Sequence, residues 1–316
     1  MFHVLHVSTG YSDGSIEKRL IEEAGGSYEL IREPDEESIL AAGQNADALL
    51  VALTVVSARV IRSLPKLQVI VRAGIGVDNI DLAAAKERGV HVCNLPRYCQ
   101  EEVADHTVAL LLSLERRLFP QVLDVRAGSW KPPKQYGAIR GMCGATVGFI
   151  GCGGIAQKVM PRLIPFGVEL IGYDPYLPED VAGRLGLTLV SLDDVLRRSD
   201  FLLLHVPLTA ETKHILNAEA FSKMKPQAYI INTARGPLID TDALYDAVSS
   251  GRIGGAALDV IEGDLEAAKR FAAFGNVLIT PHTAYYSAAS GYRICAQAGE
   301  LLADYIRGNG LRNVIV

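Results

Sequence analysis

A chain of 316 residues, 49% of them hydrophobic, is long enough for about two domains and carries ample material for their cores. Its 31 Lys and Arg against 36 Asp and Glu leave a net charge of −5, which argues against a nucleic-acid or membrane partner found through charge. Five scattered cysteines (Cys93, Cys99, Cys143, Cys152, Cys295) lack metal-ligand spacing, so no metal is expected, and they read as free thiols of a reducing compartment.

Met1 leads straight into FHVLHV with neither a basic leader nor a long apolar stretch, so no signal peptide or membrane span is expected and the cytoplasm is the default. Strand-like and helix-like blocks then alternate: strands at 2–7, 27–31, 48–53, 68–74 and 90–94, and helices at 15–26, 35–43, 56–64 and 81–89. Alternation at this spacing implies βα units and a parallel sheet covered on both faces. One long helix is predicted over 101–118, followed by an irregular loop, GSWKPPKQYG (128–137). Strands resume at 146–151, 168–174, 200–206, 228–233, 254–260 and 277–280, and a last helix runs from about Ser287 to Arg307.

The segment VGFIGCGGIAQKV (147–159) is the most legible motif. A strand runs into Gly151-Cys-Gly153-Gly-Ile-Ala156, the pattern G-x-G-x-x-A: the first glycine makes a tight turn, the second admits a pyrophosphate, and the small third residue packs helix on strand. Free N–H groups at the helix start favour phosphate. Asp174, 18 residues beyond Ala156 at the end of the next strand, suits ribose hydroxyls and repels a 2′-phosphate, so NAD is favoured over NADP. Pro161 and Pro165 predict a short or bent helix after the motif. Among seven histidines, His282 stands out because it follows the apolar run Val277–Ile279, at a strand end where α/β sheets form clefts. His3, His6, His91, His106 and His214 read as structural or exposed. In RAGIG (72–76) the glycines allow close backbone approach after a strand.

These motifs, VRAGIGVDNID (71–81), EEVADHTVALLL (101–112), VGFIGCGGIA (147–156), GYDPY (172–176), NTARGPLID (232–240), GAALDVIEGD (255–264) and TPHTAYYS (280–287), stand in the order of the D-isomer-specific 2-hydroxyacid dehydrogenases, which the chain resembles over nearly its whole length. CNLPRYCQEEVADH and PHTAYYS are most similar to the branch named after the C-terminal-binding proteins, NAD-sensing corepressors.

The resemblance implies an α/β protein of two Rossmann- or flavodoxin-like domains. A discontinuous substrate domain, 1–98 and 286–316, would carry an inserted NAD-binding domain, 99–285, and the chain would form a homodimer. It implies Arg235 as the carboxylate- and carbonyl-binding arginine and His282 as acid/base. Asp264 stands in the place of the family's glutamate, five residues after Asp259; its reach is shorter, and Glu262 is the alternative. Such roles suit reduction of a 2-keto acid, which needs an acid near neutral pKa, a bidentate cation, and a carboxylate beside the histidine.

Substrate contacts carry over to Arg72, Ile75, Gly76 and Tyr285, and cofactor contacts to Val103, Gly151, Gly153, Gly154, Ile155, Asp174, His205, Pro207, Thr212, Thr233, Ala234, Arg235, Asp259 and His282. Asp259 would accept from the nicotinamide amide. Gly154 departs from the family's usual Arg or Lys, which suggests weaker cofactor binding. The expected function is an NAD-dependent D-2-hydroxyacid dehydrogenase acting on a small 2-keto or 2-hydroxy acid. The competing reading is a non-catalytic NAD(H) sensor of the corepressor type, disfavoured by the short ending LRNVIV.

Overall fold

The computed structural model describes residues 1–316 except Thr9 and Tyr11, and of Asp264 the backbone only. It divides into two compact units, Met1–Cys99 with Tyr286–Val316, and Gln100–Tyr285.

The first unit holds five parallel strands, β1 (His3–Ser8), β2 (Ser27–Arg32), β3 (Ala48–Val51), β4 (Val69–Arg72) and β5 (His91–Cys93), in the order β2-β1-β3-β4-β5. This is the flavodoxin-like doubly wound order. β3 and β4 are buried at every position, which is why β3 reads as an unbroken apolar run and β4 as one that only Arg72 closes, rather than alternating ones. Local chemistry sets the helix starts: Asp35, Ser57 and Asp81 each accept a backbone N–H three residues on, from Ser38, Val60 and Ala84. Ser287 and Ser290 form a reciprocal capping box that opens the helix Ala288–Ile306. That helix packs closely on the helix Ser15–Glu23 at Gly299, where a Cβ would sit 2.8 Å from Leu20.

The second unit holds seven parallel strands: β6 (Thr146–Ile150), β7 (Glu169–Tyr173), β8 (Leu187–Leu189), β9 (Phe201–Leu204), β10 (Tyr229–Asn232), β11 (Gly255–Leu258) and β12 (Val277–Ile279). Their order is β12-β11-β10-β9-β6-β7-β8, so the direction of winding switches between β6 and β9. Phe149, Phe201, Leu203 and Ile231 line one core and Leu202, Leu204, Ile230 and Phe271 the other.

The helix expected as one piece over 101–118 is two. Gln100–Glu115 ends at Arg117, whose φ of 53° is left-handed, and Leu118–Arg126 follows. The break is held from both sides: the Arg117 guanidinium lies over the Tyr229 ring, 5.5 Å from its centre, and buried Glu115 accepts the Gly141 N–H at 2.8 Å. After the glycine motif the helix is short, Ala156–Leu163, with Pro161 inside it and Pro165 in the 3-10 turn that ends it. All five thiols are free, four of them buried. Among the described residues no helix is long and apolar enough to cross a membrane.

Candidate active site

The switch point of the second unit is built from glycines of two kinds. Gly151 follows β6 at φ 84°, and a Cβ there would lie 2.7 Å from the backbone of His205 and Val206, at the end of β9. Its glycine is required by the fold itself. Among the described residues a Cβ at Gly153 would meet no atom within 4 Å, so packing there does not require that glycine, and the space it leaves suits a pyrophosphate. At Gly154 a Cβ would run into the side-chain amide of Gln100. The following helix starts at Ala156, and Ile155 supplies no side-chain cap to its first N–H groups.

Asp174 is pinned beside this turn. One carboxylate oxygen accepts the Cys152 N–H at 2.8 Å, the other the Tyr176 N–H at 2.9 Å. That leaves acceptor capacity on each oxygen for ribose hydroxyls. Burial, and then the Asp174 charge, pushes the Cys152 thiol up to about 12, so this thiol stays protonated. His205 stacks on Phe149 at 6.1 Å, its Nε2 is enclosed without a hydrogen-bond partner among the described residues, and burial lowers its pKa to about 4. A neutral imidazole with an orphaned nitrogen in this crevice fits a cofactor neighbour.

The remaining cofactor positions are tied by short contacts. Thr233 bonds Thr107 at 2.9 Å, and Thr107 in turn donates to the carbonyl of Val103. Thr212 donates to Pro207 O at 2.7 Å and closes its loop. Buried Asn232 accepts the Ala234 N–H and donates to Arg235 O, stapling the turn that presents Arg235.

β10, β11 and β12 are neighbours, and Arg235, Asp259 and His282 follow their carboxyl ends. Asp259 is 1% exposed and holds the last turn together. Its Oδ1 accepts from Thr280 Oγ1 at 2.6 Å and Thr283 N at 2.9 Å, and its Oδ2 from Ala284 N at 2.9 Å. A carboxylate has about four acceptor positions, so one remains for a nicotinamide amide. His106 Nε2 lies 3.1 Å from Thr280 Oγ1 and 3.6 Å from Asp259 Oδ1.

Within this turn His282 is exposed and left-handed, φ 53°; its N–H bonds Asp259 O and Thr280 O, and its ring meets Tyr285 edge-on at 5.9 Å. A non-glycine residue in that region is strained and held by its surroundings. The side chain of Asp264 lies outside the described residues; its backbone opens the helix Asp264–Arg270. Glu262 is held by His214, Nε2 to Oε2 at 2.7 Å.

In the first unit, Arg72 ends β4, 7% exposed, and donates to Ala73 O. It lies where a Cβ of Gly74 would be, and Gly74 adopts φ 151°. Ile75 O accepts from Asn94 at 2.7 Å, and Ile75 and Gly76 are half-buried in the same turn. Sequence reasoning missed Thr107, Asn232, Thr280 and the pairings of His106 and His214. Only Asn232 carried a signal, as a polar residue closing an apolar strand.

Two findings from known proteins decide the family. The family model "D-isomer specific 2-hydroxyacid dehydrogenase, NAD binding domain" matches residues 108–284. D-3-phosphoglycerate dehydrogenase of Mycobacterium leprae is 39% identical over 287 residues, 88% of this chain and 54% of that protein. The chain belongs to the D-isomer specific 2-hydroxyacid dehydrogenase family. Its cofactor is NAD, and the cradle at Gly151, Gly153 and Asp174 fits one. Hydroxypyruvate reductase of Thermotoga maritima is 39% identical over 252 residues, 78% of this chain and 81% of that protein. A D-lactate dehydrogenase from Aquifex aeolicus, complexed with NAD and lactic acid, superposes with a TM-score of 0.88 at 30% identity, covering 97% of this chain and 96% of its own. This family member spans about half the length of the phosphoglycerate dehydrogenases it matches. These matches carry the family and do not specify the corepressor branch.

Proposed function

We propose that the protein is an NAD-dependent oxidoreductase interconverting a small 2-keto acid and its D-2-hydroxy acid. The observation that carries this reading is the alignment of Arg235, Asp259 and His282 at the carboxyl ends of adjacent strands, in the sheet whose switch point cradles a dinucleotide. The activities named for the relatives concern small 2-hydroxy or 2-keto acids: phosphoglycerate, hydroxypyruvate and glyoxylate.

NADH, when bound, supplies the hydride. Arg235 holds the substrate carboxylate and polarises the keto oxygen as negative charge develops there. His282 gives that oxygen its proton and takes it back in the reverse direction. Asp259 fixes the turn from which His282 acts. Asp264 is the proposed carboxylate partner of His282, and the commitment of Glu262 to His214 supports that register over the alternative. Arg72, Ile75 and Gly76 are the proposed carboxylate-binding residues of the first unit, and Tyr285, edge-on to His282, the wall facing an apolar substrate side chain.

We also propose a homodimer. Helix Leu118–Arg126 buries none of its residues, and Leu118, Phe119, Val122, Leu123 and Val125 are each about half exposed, an apolar face that a second copy would cover. Sedimentation of the wild type at twice the monomer mass is the expected result.

The test of activity is NADH oxidation against glyoxylate, pyruvate, hydroxypyruvate, its 3-phosphate, and branched and aromatic 2-keto acids. Turnover with a preference is expected, and His282→Ala should lower kcat by about 10³-fold with NADH affinity within about twofold. NADH binding without turnover on any of them would instead support the sensor reading.

A further inference from the structure

Three consecutive loops of the second unit are locked together beside the proposed catalytic residues, and His214 and Glu262 are the lock. His214, in the loop after β9, is held at φ 52°, a conformation costly for a residue with a side chain. Its N–H bonds Pro237 O at 2.8 Å, and Leu216 N bonds Leu238 O at 3.1 Å, which zips the β9 loop onto the β10 loop. The β10 loop in turn presses on the β11 loop: a Cβ at Gly236, next to Arg235, would lie 2.6 Å from the Glu262 nitrogen. Glu262 is gripped twice. Thr241 donates to its carbonyl at 3.2 Å, and His214 meets its carboxylate at 2.7 Å. Two residues on, the helix Asp264–Arg270 starts from Gly263, φ 88°, with no side-chain cap. The grip on Glu262 lies two residues before Asp264 in the chain.

We infer that the His214–Glu262 pair is a clasp that sets where residue 264 enters the site, making both of them positioning residues for the reaction. The inference rests on the proposed dehydrogenase reading. It has a physical motive: aspartate at 264 is one carbon–carbon bond, about 1.5 Å, shorter than the family's glutamate, so its backbone must be held where the shorter side chain reaches. A misplacement of about 1 Å is enough to cost up to roughly 10²-fold in rate.

The experiment combines His214→Ala, Glu262→Ala, the double variant and His214→Gln, which keeps a hydrogen-bond donor. Keto-acid reduction, NADH affinity and hydrogen exchange are measured on each. Each single alanine should lower kcat about tenfold with NADH affinity within about twofold. The double variant should be no worse than either alone, and His214→Gln should recover most of the rate. Amides of 259–268 should exchange faster in the alanine variants, with those of β6 unchanged. Unchanged exchange at 259–268 overturns the clasp whether or not the enzyme is active. Faster exchange with unchanged kcat, or additive losses in the double variant, overturns its positioning role. A wild type inactive on every keto acid defeats the dehydrogenase reading instead, and the exchange result then decides the clasp alone.

Discussion

His6 and His205 make a controlled pair, one in each unit. His6 lies inside β1 and His205 follows β9; burial lowers both to about 4, with Arg32 adding to the effect on His6. His6 Nδ1 meets Tyr28 Oη at 2.6 Å and the two rings stand edge to face. His205 has a ring to stack on and an enclosed Nε2 with no partner among the described residues. Buried polar groups are almost always paired, so the contrast separates a histidine whose hydrogen bond the fold itself completes from one left open to a ligand. The glycines repeat the lesson. The space beside Gly74 in the first unit is filled by the protein's own Arg72, whereas that beside Gly153 in the second is filled by no atom of the described residues.

The largest effect separates Gly151 from Gly153. Gly151→Ala sets a methyl 2.7 Å from backbone that cannot swing away and adds left-handed strain, so a loss of about 3 kcal/mol or failure to fold is expected. Gly153→Ala should melt within about 1 °C of wild type yet bind NADH at least about tenfold more weakly, because only the cofactor meets the new methyl. Calorimetric titration and thermal melts read both. Wild-type NADH affinity in Gly153→Ala would mean that the space beside it does not serve a pyrophosphate.

Next come opposite outcomes for the two histidines. His6→Leu strands the Tyr28 hydroxyl and should cost about 1–2 kcal/mol while leaving NADH affinity unchanged. His205→Leu removes an orphaned nitrogen, should not destabilise the free protein, and should weaken NADH binding about three- to tenfold, the worth of one hydrogen bond. Equal behaviour of the two variants in both assays would erase the distinction drawn between the units.

The strands and the glycine cradle were legible because each rests on a local requirement. Short apolar runs such as ALLV and TVGFI, alternating with helical segments, suit buried strands of a covered sheet, and G-x-G-x-x-A with an acid after the next strand is a single short-range pattern. The break at Arg117 was missed although Pro120, which has no N–H to donate to Arg116 O, signals it three residues on. Contacts with Tyr229 and Gly141, remote in sequence, hold it in place. β8 lies at the edge of the sheet with an exposed threonine at its centre, so it shows no continuous apolar run to mark it as a strand. In the site, the turn carrying His282 was visible from Thr-Pro-His at a strand end, but its anchor was not: Asp259 was read as a cofactor ligand and also clamps residues 280–284. The His214–Glu262 pair spans 48 residues, and no spacing rule connects such a pair.

The smallest effect is a pH dependence that belongs to His6. Its native pKa, about 4, lies below the unfolded value of 6.5, so below pH 6.5 the unfolded chain binds a proton that the native state refuses. Stability contributed by keeping this ring neutral is therefore full above about pH 6.5 and drains away as pH falls from there toward 4. Between pH 8 and about pH 5.5 the loss attributable to His6 should be roughly 1 kcal/mol. His6→Gln cannot take up that proton and keeps a hydrogen-bonding group for Tyr28, so urea melts of this variant should lose that much less on acidification. An unchanged acid loss in His6→Gln would mean that His6 titrates normally in the folded protein, and the burial that pairs it with His205 would have to be abandoned as the common cause.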